Sequence, residues 1–168
     1  MALATIRGTA AVFGDHVSAD VVLPARHSFL QPEQMAEQVL MDLGPEANRK
    51  VREHPIIIAG EAFGYGTGRE SPCRALRAAG VRAVIAKSFS RLFFRNALNN
   101  GIVVLQCPAL ASQPVTDGDE IELALAEGWA RWKGETFAIA PFTDVVAKIV
   151  EAGSLINYGR QLLAAEKA

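Results

Sequence analysis

The sequence predicts an α/β domain with a central mixed and parallel sheet flanked by helices. Three observations carry this. First, Ile56-Ile57-Ile58-Ala59, Val81-Arg82-Ala83-Val84-Ile85-Ala86 and Ile102-Val103-Val104-Leu105 are near-continuous apolar runs of strand length, as expected of strands buried on both faces. Segments of helical spacing separate them, and strand, helix, strand, helix, strand implies parallel pairing with right-handed crossovers. Second, Gly60 to Gly68 puts four glycines in nine residues directly after the first of these strands, where such sheets place their ligands. Third, the pattern changes in the last third. Ile121-Glu122-Leu123-Ala124-Leu125 alternates, Gly128 marks a turn and Trp129 to Ile139 continues in the same manner, which reads as antiparallel hairpins.

The remaining elements follow in order. Thr9 to Phe13 leans towards a strand and ends at the turn signal Gly14-Asp15. Val21-Val22-Leu23 is a short apolar run stopped by Pro24. Pro32 opens a helix expected to reach Leu43, carrying Met35, Val39, Leu40 and Leu43, with Gly44-Pro45 as its stop. Glu46 to His54 is a polar stretch. After the glycine loop, a helix has Ser71-Pro72 in its first turn, Cys73, Leu76 and Ala79 on one face, and Gly80 at its end. Ser88 to Leu98 suits a helix carrying Phe89, Leu92, Phe93 and Leu98, closed by Asn99-Asn100-Gly101. Phe142 to Ala152 and Leu155 to Ala165 read as two last helices. No repeat or long linker divides the chain, so residues 1–168 are expected to form one domain.

Composition narrows the function. A chain of 168 residues and 18.0 kDa can bury roughly two-thirds of its unfolded surface, enough for a core without disulfides or a structural metal. A net charge of −1 leaves no electrostatic footprint for nucleic acid or an anionic membrane. Two cysteines, Cys73 and Cys107, exclude a disulfide framework and any four-cysteine zinc or iron–sulfur site built by this chain alone. No apolar run reaches membrane-spanning length. Met1 to Arg7 lacks the basic-then-apolar order of a secretory leader. Cytoplasmic residence is the expectation.

The segment with most chemistry is Gly60-Glu61-Ala62-Phe63-Gly64-Tyr65-Gly66-Thr67-Gly68-Arg69-Glu70-Ser71. Glycines allow close backbone approach. A loop entering a helix offers free N–H groups to an anion. Arg69 adds a fork that grips carboxylates, and Thr67 adds a hydroxyl. On spacing alone, a tight turn with a surface-paired arginine fits equally well. Gly64-x-Gly66-x-Gly68 lacks the step of a dinucleotide fingerprint, and no P-loop lysine follows. Asp15, His16 and Asp20 cluster after the first strand. They suit acid–base work or metal binding, though the spacing is no recognised metal motif, or, more simply, turn capping by the two aspartates. His27 and His54 are isolated and expected at the surface. Arg91, Arg95, Asn96 and Asn99 mark a polar helix face.

Three segments together resemble one family. Gly14-Asp15-His16-Val17-Ser18-Ala19-Asp20-Val21-Val22-Leu23-Pro24-Ala25-Arg26 is similar to Gly-Asp-Asn-Ile-Asp-Thr-Asp-x-Ile-Ile-Pro-Ala-Arg. The loop Gly64-Tyr65-Gly66-Thr67-Gly68-Arg69-Glu70 is similar to Gly-Cys-Gly-Ser-Ser-Arg-Glu. Ala86-Lys87-Ser88-Phe89-Ser90-Arg91-Leu92-Phe93-Phe94-Arg95-Asn96-Ala97-Leu98-Asn99-Asn100-Gly101 is similar to Ala-Lys-Ser-Phe-Ala-Arg-Ile-Phe-x-Arg-Asn-Ala-Ile-Asn-x-Gly. In order and spacing, and through the tail Glu151 to Tyr158, the chain resembles the small subunits of 3-isopropylmalate dehydratases in the aconitase superfamily.

The resemblance implies a swivelling β/β/α domain of the aconitase C-terminal type. It implies docking on a large subunit that carries a [4Fe–4S] cluster, with no cofactor or metal held by this chain. The implied reaction dehydrates and rehydrates a hydroxy diacid, with cluster iron as Lewis acid on the substrate hydroxyl. Thr67 falls at the base position, with Asp20 a second catalytic position, and Arg69 at the carboxylate clamp. Gly66, Gly68 and Tyr65 shape the loop. Arg26, His27, Ser28 and Phe29 lie in the substrate-recognition segment, where Phe29 favours an alkyl substituent over a third carboxylate. Four departures stand out: Thr67 and Gly68 in place of two serines, Ser71 in place of the histidine usual after Arg-Glu, and Ser18-Ala19 in place of Asp-Thr. They leave open a methyl- or dimethylmalate/citraconate substrate, or a non-catalytic regulatory or assembly subunit. Self-association of the isolated chain is also left open.

Overall fold

The computed structural model describes residues 5–166. Residues 1–4, which carry half of the leader reading, and 167–168 lie outside the described residues. A seven-stranded sheet has the order β4-β3-β2-β1-β5-β6-β7. Its strands are β1 (Ile6–Val12), β2 (Ile56–Ala59), β3 (Ala83–Ala86), β4 (Val103–Gln106), β5 (Glu120–Ala124), β6 (Trp129–Trp132) and β7 (Glu135–Ala138). The first four strands pair in parallel and the rest antiparallel. Both the central parallel segment and the terminal hairpins agree with the sequence pattern.

The two-sided burial of the parallel strands explains their composition. Residues 57 and 59 of β2, 84 and 86 of β3 and Val104 of β4 face one core. That core is completed by α1 (Ala19–Val22), α2 (Pro32–Gln38), α3 (Pro45–Glu53), α4 (Ser71–Ala78) and α5 (Arg91–Asn99). Residues 56, 58, 83, 85, 103 and 105 face the second core, closed by the antiparallel strands and α6 (Pro108–Ala111). Strands covered on both faces cannot alternate polar and apolar residues. Cys73 and Cys107 are both free and buried, one in each core. Two last helices, α7 (Asp144–Glu151) and α8 (Leu155–Ala165), follow the hairpins. No helix among the described residues is long and apolar enough to cross a membrane.

Four local expectations are corrected. The helix begun at Pro32 ends at Gln38, because Asn48 donates to the carbonyls of Ala36 (3.0 Å) and Val39 (2.7 Å), and Leu40 turns to positive φ. The polar stretch after Gly44 is itself helical: α3 buries Ala47, Asn48 and Val51 and exposes the charges between them. The helix expected from Ser88 starts at Arg91, since residues 87–90 are bonded to the glycine loop instead. Leu92 consequently points outward. His54 is half-buried, its Nδ1 2.8 Å from Thr9 Oγ1.

Asp119 ties the entry of β5 to β6. It accepts from Thr116 N (3.0 Å) and Trp132 Nε1 (2.9 Å) and pairs with Lys133. These donors, the Thr116 main chain first, lower its carboxyl from 3.8 to about 2. A folded value below the unfolded one means that the carboxylate stabilises the fold at neutral pH. The contribution is lost as pH falls from about 4 through 2. The melting difference between wild type and Asp119→Asn should therefore be largest above pH 5 and vanish near pH 2, as measured by thermal unfolding across that range.

Candidate functional site

Parallel pairing puts the carboxyl ends of β1, β2 and β3 on one edge of the sheet. The segments leaving them, residues 13–20, 60–70 and 87–90, are laced together by main-chain hydrogen bonds. Gly60 N, His16 N, Gly64 N and Ala19 N bond to the carbonyls of Gly14, Glu61, Val17 and Tyr65 at 2.8–3.1 Å. On the other side Phe63 N bonds to Ser88 O, and Ser90 N to Phe63 O. Asp15 accepts from Glu61 N at 2.7 Å, and Ser88 Oγ accepts from Ala62 N at 2.8 Å. Asp15 thus holds loop to loop, rather than capping its own turn.

The glycines answer to this crowding. A Cβ at Gly60 would overlap the Asp15 carboxylate, and one at Gly64, where φ is +76°, would overlap the Phe93 ring. Phe63, Phe89, Phe93 and Phe94 gather beneath the loop; Phe63 and Phe93 meet edge-on at 5.1 Å. Phe89, Phe93 and Phe94 are near neighbours in sequence, and the bonds of Phe63 to Ser88 and Ser90 bring Phe63 to them. Asn96, on the polar face of α5, donates to the carbonyls of Gly68 (3.0 Å) and Arg69 (3.3 Å).

On this scaffold Arg69 is the hub. Its Nε donates to Thr67 Oγ1 at 3.1 Å, and its main-chain N approaches the same oxygen at 3.3 Å. Its Nη1 donates to Ser28 Oγ at 2.6 Å, and its Nη2 to the Asp20 carboxylate. Ser71 Oγ lies 3.0 Å from Ser28 Oγ. Three of five guanidinium N–H groups are occupied, which leaves one on each terminal nitrogen for a ligand. Thr67 and Arg69 are half-buried, while Asp20, Tyr65, Gly66 and Gly68 are exposed.

The structure therefore brings Thr67, Arg69, Asp20 and Ser28 together. Asp20 does not cap a turn: Ser18 caps α1, accepting from Val21 N at 3.1 Å, and Asp20 is left to pair with Arg69. Phe29 follows Ser28 and is 97% exposed. Arg26 instead pairs with Asp42 at 2.7 Å. His27 is half-buried, and His16 meets Tyr65 edge-on. Sequence reading singled out Ser71 only as a departure, without a site role, and gave no sign of the Ser28–Arg69 bond, 41 residues apart, for which no local spacing signal exists.

Cys73, two residues into α4, is pushed up to about 12 by burial and by the nearby Glu70 charge. Among the described residues no three metal-binding side chains converge.

The mixed sheet with flanking helices is of the aconitase C-terminal type, and residues 31–110 match the Aconitase C-terminal domain family. The chain is 42% identical over 161 residues to the 3-isopropylmalate dehydratase small subunit of Methanosarcina mazei, covering 94% of this chain and 98% of that protein. It is 39% identical to small subunit 1 of the Archaeoglobus fulgidus enzyme, with 92% and 97% coverage. A crystal structure of 3-isopropylmalate dehydratase from Methanocaldococcus jannaschii matches with a TM-score of 0.85 at 32% identity, over 98% of this chain and all of that one. The chain belongs to the family of 3-isopropylmalate dehydratase small subunits.

The scaffold can be tested at its tightest point. Gly64→Ala adds a strained positive φ and an overlap with Phe93. It should lower unfolding free energy by about 2–4 kcal/mol in denaturant titration.

Proposed function

We propose that this chain, acting as one domain over residues 1–168, is the small subunit of a hydro-lyase that moves water within a substituted malate, with 3-isopropylmalate as substrate. The observation that carries the reading is the double donation to Thr67 Oγ1 from the main-chain N and Nε of Arg69. Donors aimed at one oxygen, one of them cationic, stabilise that oxygen as an alkoxide. The alkoxide of Thr67 takes the proton from the carbon beside a substrate carboxylate. The free N–H groups of Arg69 hold that carboxylate, and Asp20 pairs with the guanidinium at Nη2. Gly66 and Gly68 keep the approach open; at Gly68 a Cβ would come within 3.0 Å of Leu92 Cδ1.

Tyr65 in the loop, Phe29 beside Ser28 and Leu92 beside Gly68 are exposed apolar side chains next to the polar centre, and exposed apolar side chains gathered at a site suit a docking surface. A large subunit closing on this face makes Phe29 a wall for the isopropyl group. Relatives bearing the small-subunit name over nearly their full length support that partner. The [4Fe–4S] cluster implied by the family does not fit this chain: its two thiols lie in opposite cores. It belongs to the partner, and no step assigned here runs through it. No nucleic acid or membrane enters the reading, and the cytoplasm is the compartment proposed.

Co-expression with the large subunit, anaerobically and with iron, tests this. Turnover of isopropylmalate, citraconate, dimethylmaleate and cis-aconitate is followed by the absorbance of the unsaturated acid. Isopropylmalate should be the preferred substrate. Thr67→Ala should lower kcat by about 10²–10⁴-fold, Thr67→Ser should retain activity, and Arg69→Lys should raise KM sharply, since lysine lacks the fork. Unchanged turnover in both Thr67→Ala and Arg69→Lys would overturn the site. An assembled, cluster-loaded complex that processes none of the acids would make the chain a non-catalytic subunit.

A further inference from the structure

We propose that Ser71 is a positioning residue for Arg69, acting through Ser28, and that this relay couples the recognition segment 27–30 to the carboxylate clamp. The inference rests on the functional reading above and extends it to a residue with no assigned part.

Ser71 opens α4 and is 7% exposed. A buried hydroxyl needs a partner, and Ser71 Oγ donates to Ser28 Oγ at 3.0 Å. The same Ser28 oxygen takes Nη1 of Arg69 at 2.6 Å. A guanidinium can only donate, so Ser28 must accept there. Both lone pairs of Ser28 are then filled, one by the clamp and one by the core helix. With its oxygen held from both sides, Ser28 loses the rotamer freedom an exposed serine keeps.

The three acceptors on Arg69 differ in stiffness. Asp20 is 54% exposed at its side chain and can swing away when a substrate carboxylate competes for Nη2. Thr67 changes charge during the proposed reaction. Ser28 alone is braced from a buried residue, so it keeps the guanidinium plane while the other two respond. Ser28 also closes the 3₁₀ turn Ala25–His27, its N–H bonded to Ala25 O at 3.1 Å, and directly precedes Phe29. A shift at Ser28 therefore moves the clamp and the apolar wall together. The family's histidine position is occupied here by a side chain short enough to serve this relay.

The test has two readouts. In the isolated chain, exchange of the Arg69 Nη protons, which include the one bonded to Ser28, with water is followed by ¹⁵N-edited NMR, with the Nη protons of Arg7, whose Nη2 is bonded to Glu122, as internal reference. Ser28→Ala and Ser71→Ala should each speed Arg69 exchange, by about tenfold for Ser28→Ala, the scale of one hydrogen bond to a charged group. The double variant should match Ser28→Ala, because both act along one path. Arg7 should not change. In the reconstituted enzyme, KM for isopropylmalate should rise and kcat should fall in the same order, since Arg69 both holds the carboxylate and donates to Thr67. Unaltered Arg69 exchange in a folded Ser71→Ala chain, or additive effects in the double variant, would overturn the relay. Should Ser71→Ala fail to fold, the partly exposed Ser28→Ala decides: unaltered exchange there overturns it as well. A wild-type complex inactive on isopropylmalate would remove the functional reading and its coupling to substrate, while NMR exchange still decides the Ser71–Ser28–Arg69 relay.

Discussion

Strand β1 changes partner along its length, and the architecture depends on that switch. Ile6–Thr9 pairs antiparallel with β5, while Ala10–Val12 pairs parallel with β2. One strand thereby joins two sheet types that need different surroundings. The parallel half must be covered on both faces, and it is: by five helices on one side, and by α6 and the antiparallel strands on the other. Parallel pairing also commits the carboxyl ends of β1, β2 and β3 to one edge. Three loops from distant parts of the chain then have no choice but to meet there.

What meets there is more polar than the fold requires. Arg69 sits among a carboxylate and two hydroxyls in a half-buried position. An ion pair as exposed as Arg69–Asp20 adds at most about 1 kcal/mol, so stability does not account for the arrangement. Directional donors pointing at one hydroxyl, with unused N–H groups beside them, suit an anionic ligand. The surrounding apolar side chains suit a second protein surface.

The central strands and helices were legible because burial on both faces writes near-continuous apolar runs, punctuated by Gly80 and Asn99-Asn100-Gly101. Thr67 and Arg69 were legible because four glycines frame them and the flanking motifs match a family. The rest was set by contacts across the chain. Asn48 decides where α2 stops. α3 was hidden because only Ala47 and Val51 interrupt its polar surface. The start of α5 is delayed because Ser88 and Ser90 serve the loop opposite. Asp20 and Arg69 are 49 residues apart, and nothing in local spacing announces their pairing.

The loops at the sheet edge are joined chiefly through peptide groups: residues 14, 16, 17, 19, 60, 61, 63, 64, 65, 88 and 90 contribute N–H or C=O, with Asp15 and Ser88 adding side-chain bonds. Every amino acid except proline brings the same donor and acceptor. Side chains at positions such as 67, 68 and 71 can therefore be exchanged over evolutionary time without dismantling the frame that displays them. The departures of this chain from the family's loop fall at those positions. A frame joined mainly through peptide groups, and tied to side chains only where Asp15, Ser88 and the Gly64–Phe93 contact enter it, lets the residues it displays change while the geometry of the edge is kept.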